Sequence, residues 1–258
     1  MGVRGIDTAY NYSRFTSHRR LAAVAADLLS QFTVSTKVGF FPDDHAAGQV
    51  GHSLEPMRLR QAIERSADDL GRTPDVVFLH NPERTLSTIP TSAGGNTLVA
   101  ACAVLADAVT TGLCSAWGIA SWDPSPLAEL DSIVDPKPDV LMLRAGLSLN
   151  EPMFKTCEHV SRVFGVPPER RWGMSPFGSE GQHAAWQSAN LDVFVPGQRA
   201  SVHQAAFRLA FELPPAARIA VGTSKSGHLA DLVDASGLTV DPAMVRRYRS
   251  LIAAPAKQ

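Results

Sequence analysis

Short apolar runs alternate along the chain with segments whose apolar residues recur every three or four positions. The runs fall at residues 5–8, 32–37, 75–80, 115–120, 140–144, 171–175 and 219–222. In the central runs Val, Ile, Leu and Phe follow one another without polar interruption, as in strands covered on both faces. Between them, residues 18–29 place Leu21, Ala25 and Leu28 at helical spacing. A second helix opens at Ser53-Leu54-Glu55-Pro56, with Ser53 as N-cap and Pro56 in the first turn. Leu59, Ile63, Ala67 and Leu70 form its buried stripe and Gly71 ends it. Residues 98–111, 202–212 and 241–253 read as further helices.

Strand, helix, strand, helix over this length predicts a parallel sheet covered by helices. No G-x-G-x-x-G follows any run, so an open dinucleotide-binding sheet is disfavoured against a (β/α)8 TIM-barrel type of fold. Seven runs are found where such a barrel has eight, so the barrel is expected to lack its first βα unit. An edge left open in that way would need cover, which self-association into a homo-oligomer would supply. No linker or repeat interrupts the pattern, and residues 1–258 are expected to form a single barrel domain. Residues 42–51, 85–95 and 179–200 follow strands and are rich in Gly, Ser, His and Asp. They are the expected walls of a substrate pocket.

Composition narrows the partners. With 24 Lys and Arg against 25 Asp and Glu, the net charge is -1, which points away from nucleic acid and from anionic membranes. No apolar run is expected to reach the roughly 18–20 residues of a membrane span, and no signal peptide is read at the start. Cys102, Cys114 and Cys157 are odd in number and dispersed, so buried thiols in a reducing cytoplasm are expected. His45, His52, His159, His183 and His203 lack metal-ligand spacing, and no metal site is expected. Asn11-Tyr12-Ser13 spells a glycosylation acceptor but is taken as chance without a secretory route.

Three runs end on chemistry: Asp7 with Tyr12 five positions on, Lys37, and His80. If their strands lie side by side in parallel, the four side chains share one rim. Each alone has an ordinary reading as a turn residue, a rim aromatic, a snorkelling lysine or a strand-closing polar residue. Together they make an acid. A phenol with pKa about 10 becomes a usable proton donor when an ammonium stabilises its conjugate base. Asp7 would hold Lys37, and His80 would orient a carbonyl oxygen. Hydride from a nicotinamide is the natural complement to protonating that oxygen.

The chain resembles the aldo-keto reductase family at Asp7-Thr8-Ala9-x-x-Tyr12, Ser35-Thr36-Lys37, Leu79-His80-Asn81-Pro82, Gly118-Ile119-Ala120-Ser121-Trp122, Ser175-Pro176-Phe177-Gly178 and Gly222-Thr223-Ser224-Lys225. The six occur in family order along nearly the whole chain. The resemblance implies an NAD(P)H-dependent carbonyl reductase with Tyr12 as general acid and Lys37, Asp7 and His80 assisting it. It further implies a small-molecule aldehyde or ketone as substrate and NADP(H) as cofactor. On the cofactor side it points to Ser121, Met142, Ser175, Gly222, Thr223, Ser224, Lys225 and His228. The last group opens a helix, where backbone N–H groups hold phosphate, and Lys225 and His228 could meet a 2′-phosphate. Met142 and Met174 stand where the family usually places a glutamine and a tyrosine, and Ser121 where it has an asparagine. The tail after the last helix is short, which points to an open mouth and a bulky or tethered substrate.

Two other functions fit the same residues. One is a cofactor-independent lyase, dehydratase or cyclase using Tyr12 and His80 for proton transfer, favoured by the two methionines. The other is a nucleotide-binding regulatory subunit, against which the intact tetrad argues.

Overall fold

The computed structural model describes residues 2–42, 49–130, 135–178, 186 and 189–253. Its main sheet has seven strands: β1 (Gly5–Asp7), β2 (Thr33–Val38), β5 (Val76–His80), β6 (Ala116–Ser121), β7 (Val140–Arg144), β8 (Arg171–Met174) and β9 (Arg218–Ala220). They follow one another in that order, and β1/β2, β2/β5, β5/β6 and β8/β9 pair in parallel. This is the helix-covered parallel sheet of the (β/α)8 barrel type. All seven strands lie within two residues of the sequence-predicted ends. An antiparallel hairpin, β3 (Phe40–Pro42) with β4 (Val50–His52), was not predicted.

Contacts divide the chain into two compact units, Arg4–Met142 with Val160–Val166, and Met1–Val3 with Leu143–His159 and Pro167–Gln258. In the first, Val34, Val38, Val77, Phe78, Leu79, Ile119, Leu141 and Met142 are buried on the strands. Helices Pro56–Leu70 and Thr91–Thr110 pack together over them. Asp75, just before β5, accepts from the Val34 N–H on β2 at 2.7 Å and from Arg72 at 2.8 Å. Asp139, just before β7, accepts from the Trp117 N–H on β6 at 3.2 Å. Each Pro-Asp-Val thus locks its strand to the one before it. In the second unit, Leu149, Phe154, Phe194, Leu209, Leu213 and Val245 share a core. Helix Val202–Leu209 there starts with a reciprocal Ser201–Gln204 capping box.

Several local expectations are corrected. Helix Pro56–Leu70 is capped by Glu55, whose carboxylate accepts from the N–H groups of Met57 and Arg58; the Ser53 hydroxyl accepts from the Glu55 N–H, ahead of the helix. Gly71 ends it at φ 67°, as expected. Residues 18–29 change at Ala26 from α-helix to a 3-10 turn. The loop expected at 85–95 is largely helical: Glu83–Leu86 forms one turn, and Pro90 starts a helix running from Thr91 rather than 98. That helix, Thr91–Thr110, is long and apolar enough to cross a membrane, contrary to the expectation of no such run. Its alanines and valines raise hydropathy without a leucine block. Leu98, Ala101, Cys102, Leu105 and Ala108 are buried along one face, and the helix packs on β5, β6 and helix Pro56–Leu70. Cys102, Cys114 and Cys157 are buried and form no disulfide, with burial pushing Cys102 up to about 12 and Cys114 to about 11. Of the expected loops and tail, residues 43–48, 179–185, 187–188 and 254–258 lie outside the described residues, His45 and His183 among them.

Candidate active site

Strand ends bring the acid, the ammonium and the imidazole together because β1, β2 and β5 are neighbours in parallel register. Ser35 pairs with Asp7 on one side and Val76 on the other, and Lys37 lies beside Phe78. Lys37 is 3% exposed. Its Nζ donates to Asp7 Oδ2 at 2.5 Å and to the Thr8 carbonyl at 2.9 Å. Asp7, with its side chain 24% exposed, also accepts from Ser35 Oγ at 2.7 Å. Burying an ammonium is tolerable only with such partners.

Tyr12 arrives from the turn after β1. Its ring centroid lies 5.1 Å from Lys37 Nζ and 6.1 Å from the His80 ring, edge-on at 74°. The side chain is 41% exposed, so it faces solvent rather than the core. The turn is strained. Ser13, Arg14 and Phe15 all take left-handed φ, 51°, 55° and 63°, at a cost of about 1–2 kcal/mol each for residues with a Cβ. The Tyr10 ring against Phe15 at 5.4 Å and a 2.6 Å bond from Thr16 Oγ1 to the Ser13 carbonyl hold it. Backbone strain of this kind is found where a side chain must be presented in a set place.

His80 closes β5 and is 8% exposed. Burial first, then the charge of Lys37 and the neighbouring His52, pushes its pKa down to about 3, so the imidazole is neutral near pH 7. Its Nδ1 is buried with no hydrogen-bond partner. A neutral ring donates from one nitrogen and accepts at the other.

The structure places three residues here that sequence reasoning passed over. His52, at the end of β4, bonds through Nε2 to the His80 carbonyl at 2.8 Å and through Nδ1 to Thr85 Oγ1 at 2.7 Å. Phe40 wedges its ring between His52 (4.8 Å) and His80 (4.9 Å), edge-on to both. Glu83, buried after His80-Asn81-Pro82, accepts from Ser121 Oγ and Trp122 N at 2.8 Å and from Asp123 N at 3.1 Å. Burial raises its pKa despite those donors. An acid directly after the His-Asn-Pro turn was a readable hint for Glu83; nothing periodic marks His52.

Of the residues assigned to the cofactor, Ser121 and Met142 belong to the first unit and the rest to the second. Ser121 and Met142 are 0% exposed, Ser121 spent on Glu83 and Met142 packed in the core. Ser175, after β8, has φ 54° and its Oγ donates to the Gly178 carbonyl at 3.1 Å. Gly222, Thr223, Ser224, Lys225 and His228 are all exposed. Helix Ser226–Ala235 begins there with no side chain capping its first turn, and Thr223 Oγ1 accepts from the Lys225 N–H at 3.2 Å. In the same unit an apolar cavity of about 290 Å³ lies among Leu147, Ser148, Trp186, Ala189, Leu191, Phe194 and Tyr248. Among the described residues no group of His, Cys, Asp or Glu is arranged to hold a metal ion.

A parallel (β/α)-barrel sheet here carries a carboxylate, an ammonium, a phenol and an imidazole at its strand ends. The chain belongs to the aldo/keto reductase family, whose model matches residues 1–168. No curated protein matches it significantly. Solved structures do. An aldo-keto reductase from Bacillus halodurans in its holo form is 17% identical, with 100% of this chain and 85% of that one covered at a TM-score of 0.71. An aldo-keto reductase from Klebsiella pneumoniae in complex with NADPH is 15% identical over 99% and 82%, TM-score 0.69. An aldo-keto reductase from Bombyx mori in complex with NADP is 19% identical over 96% and 78%, TM-score 0.64. At these identities the likeness is one of fold.

Proposed function

We propose that this chain works as one catalytic domain, an NADP(H)-dependent reductase of a small-molecule aldehyde or ketone, with Tyr12 as general acid. The observation that carries the reading is the buried ammonium of Lys37, held between the Asp7 carboxylate at 2.5 Å and the Tyr12 ring at 5.1 Å. That placement favours negative charge on the phenol oxygen as its proton leaves. Asp7 keeps Lys37 in place. Neutral His80 orients the carbonyl by donating its ring N–H to the oxygen.

A nicotinamide, when bound, supplies the hydride to the carbonyl carbon. Tyr12 gives its proton to the carbonyl oxygen, the alcohol forms, and the phenol regains a proton from water. The exposed stretch Gly222, Thr223, Ser224 and Lys225, with His228, fits one phosphate of the dinucleotide through the free N–H groups of the first helical turn. The NADPH and NADP complexes of the Klebsiella and Bombyx proteins support that choice of cofactor. Ser121 and Met142, both sealed from solvent, support the second reading, a cofactor-independent proton-transfer enzyme using the same tetrad.

Fluorescence titration with NADPH and NADH, followed by turnover on a panel of aldehydes and ketones, separates the two. Binding with oxidation of cofactor is the expected outcome. Absence of binding at millimolar cofactor overturns the reductase reading in favour of the second. Tyr12→Phe should abolish carbonyl reduction and leave cofactor affinity nearly intact; retained turnover would remove Tyr12 from the mechanism.

A further inference from the structure

The β3–β4 hairpin does more than border the tetrad. Its register sets Phe40 opposite His52, so both rings stand on one face, and that face meets His80. The approach is possible only because Gly39 precedes the hairpin. At φ 146°, a Cβ there would lie 2.9 Å from the His80 carbonyl oxygen and 3.1 Å from His52 Nε2.

The hydrogen bonds of His52 fix its tautomer. A carbonyl oxygen can only accept, so the Nε2 bonded to His80 carries the proton. The bare Nδ1 then accepts from the Thr85 hydroxyl. Burial lowers the pKa of His52, and the charge of Arg84 acts in the same direction, which suits a neutral ring. The His80 carbonyl is thereby tied on the hairpin side while the Phe40 edge limits rotation of the His80 imidazole. Around that imidazole stand Lys37 from β2, partnered by Asp7 from β1, Tyr12 from the turn after β1, and His52 from β4.

We propose that His52 is a positioning residue that, with Phe40, holds the His80 imidazole in the orientation needed to receive a carbonyl oxygen. The proposal rests on the reductase reading for its catalytic consequence, though not for the hold itself. A small displacement of an orienting group is enough to cost orders of magnitude in rate.

The test uses the full chain with His52→Ala and with His52→Gln, whose amide N–H can still reach the His80 carbonyl. Two readouts are taken: kcat and KM on a reducible carbonyl with NADPH, and the NMR resonances and acid titration of the His80 ring. In His52→Ala, kcat should fall about tenfold or more with KM for NADPH unchanged. The His80 resonances should shift and its titration midpoint should move up toward the ordinary histidine range. His52→Gln should recover most of both effects. If kcat in His52→Ala stays within about twofold and the His80 resonances do not move, the proposal is overturned. It is equally overturned if Ala and Gln lose activity alike and in step with their urea midpoints, since that marks a merely structural role. If the wild-type chain reduces no carbonyl, the reductase reading fails, and the NMR arm alone decides: a shift in Ala restored in Gln supports the hold, and no shift removes it. Should His52→Ala not fold, Thr85→Val removes only the bond to Nδ1. It should produce the same changes in milder form; no change in either readout overturns the proposal.

Discussion

Removing the carboxylate of Asp7 is the perturbation that most directly tests the site. Lys37 is almost wholly buried, and its ammonium has two protein acceptors, Asp7 Oδ2 and the Thr8 carbonyl. Asp7→Ala leaves a buried cation with a single neutral acceptor and strips Ser35 Oγ of its partner. Breaking a fully buried pair from one side costs about 3–5 kcal/mol. Because the Asp7 side chain is 24% exposed, water can enter the vacated space, which places the loss nearer about 2–3 kcal/mol. Lys37→Met should cost less, about 1 kcal/mol, since Asp7 keeps Ser35 and reaches solvent. The double variant Asp7→Ala/Lys37→Met contains no stranded charge and should be more stable than Asp7→Ala alone, with a coupling of about 1–2 kcal/mol. Urea denaturation of the four proteins at neutral pH, read at constant m, completes the cycle. Additive losses, or a loss under about 0.5 kcal/mol for Asp7→Ala, would show that the pair is not a desolvated unit and would refute the reasoning.

Other outcomes follow from the same geometry. A Cβ at Gly118 on β6 would lie 2.4 Å from the Val140 carbonyl and 2.7 Å from the Phe78 ring, so Gly118→Ala should lose about 3 kcal/mol in a urea melt; a neutral change would mean that β6 and β7 can part cheaply. Glu83→Ala should cost about 2–4 kcal/mol by stranding Ser121 Oγ and the N–H groups of Trp122 and Asp123, with Glu83→Gln clearly milder; equal losses would count against the bonds. His18, buried and bonded to Thr36 Oγ1 at 2.7 Å, and His80 are pushed down by burial to about 4 and about 3. The unfolded chain takes up those protons first, so stability should be full above pH about 6.5 and fall as pH drops, by on the order of 2 kcal/mol per pH unit between pH 6 and 5. His18→Gln should flatten that slope measurably, and an unchanged slope would exclude His18 from it.

What was legible in the sequence was whatever local chemistry dictates. Continuous apolar runs mark strands, and β2, β5, β6 and β7 are buried nearly throughout, so the seven strands could be placed almost to the residue. Gly71 ends its helix because a left-handed φ of 67° costs least for a residue without a side chain. Boundaries set by competition between neighbours were not legible: Glu55 displaced Ser53 as cap because its longer side chain reaches two N–H groups at once. Pro90 turned an expected loop into the start of a helix.

By itself the sequence determined the alternation of strand and helix, and with it the titratable residues at three strand ends, because period and turn chemistry act within a few residues. Only the tertiary structure decided that Lys37 is sealed between Asp7 and Tyr12, that Ser121 belongs to Glu83, and that a distant hairpin seats His52 and Phe40 on His80. Those contacts join residues 25 to 40 positions apart. Their strength comes from removing water around groups that strand register happens to align, and no local pattern in the chain carries that information.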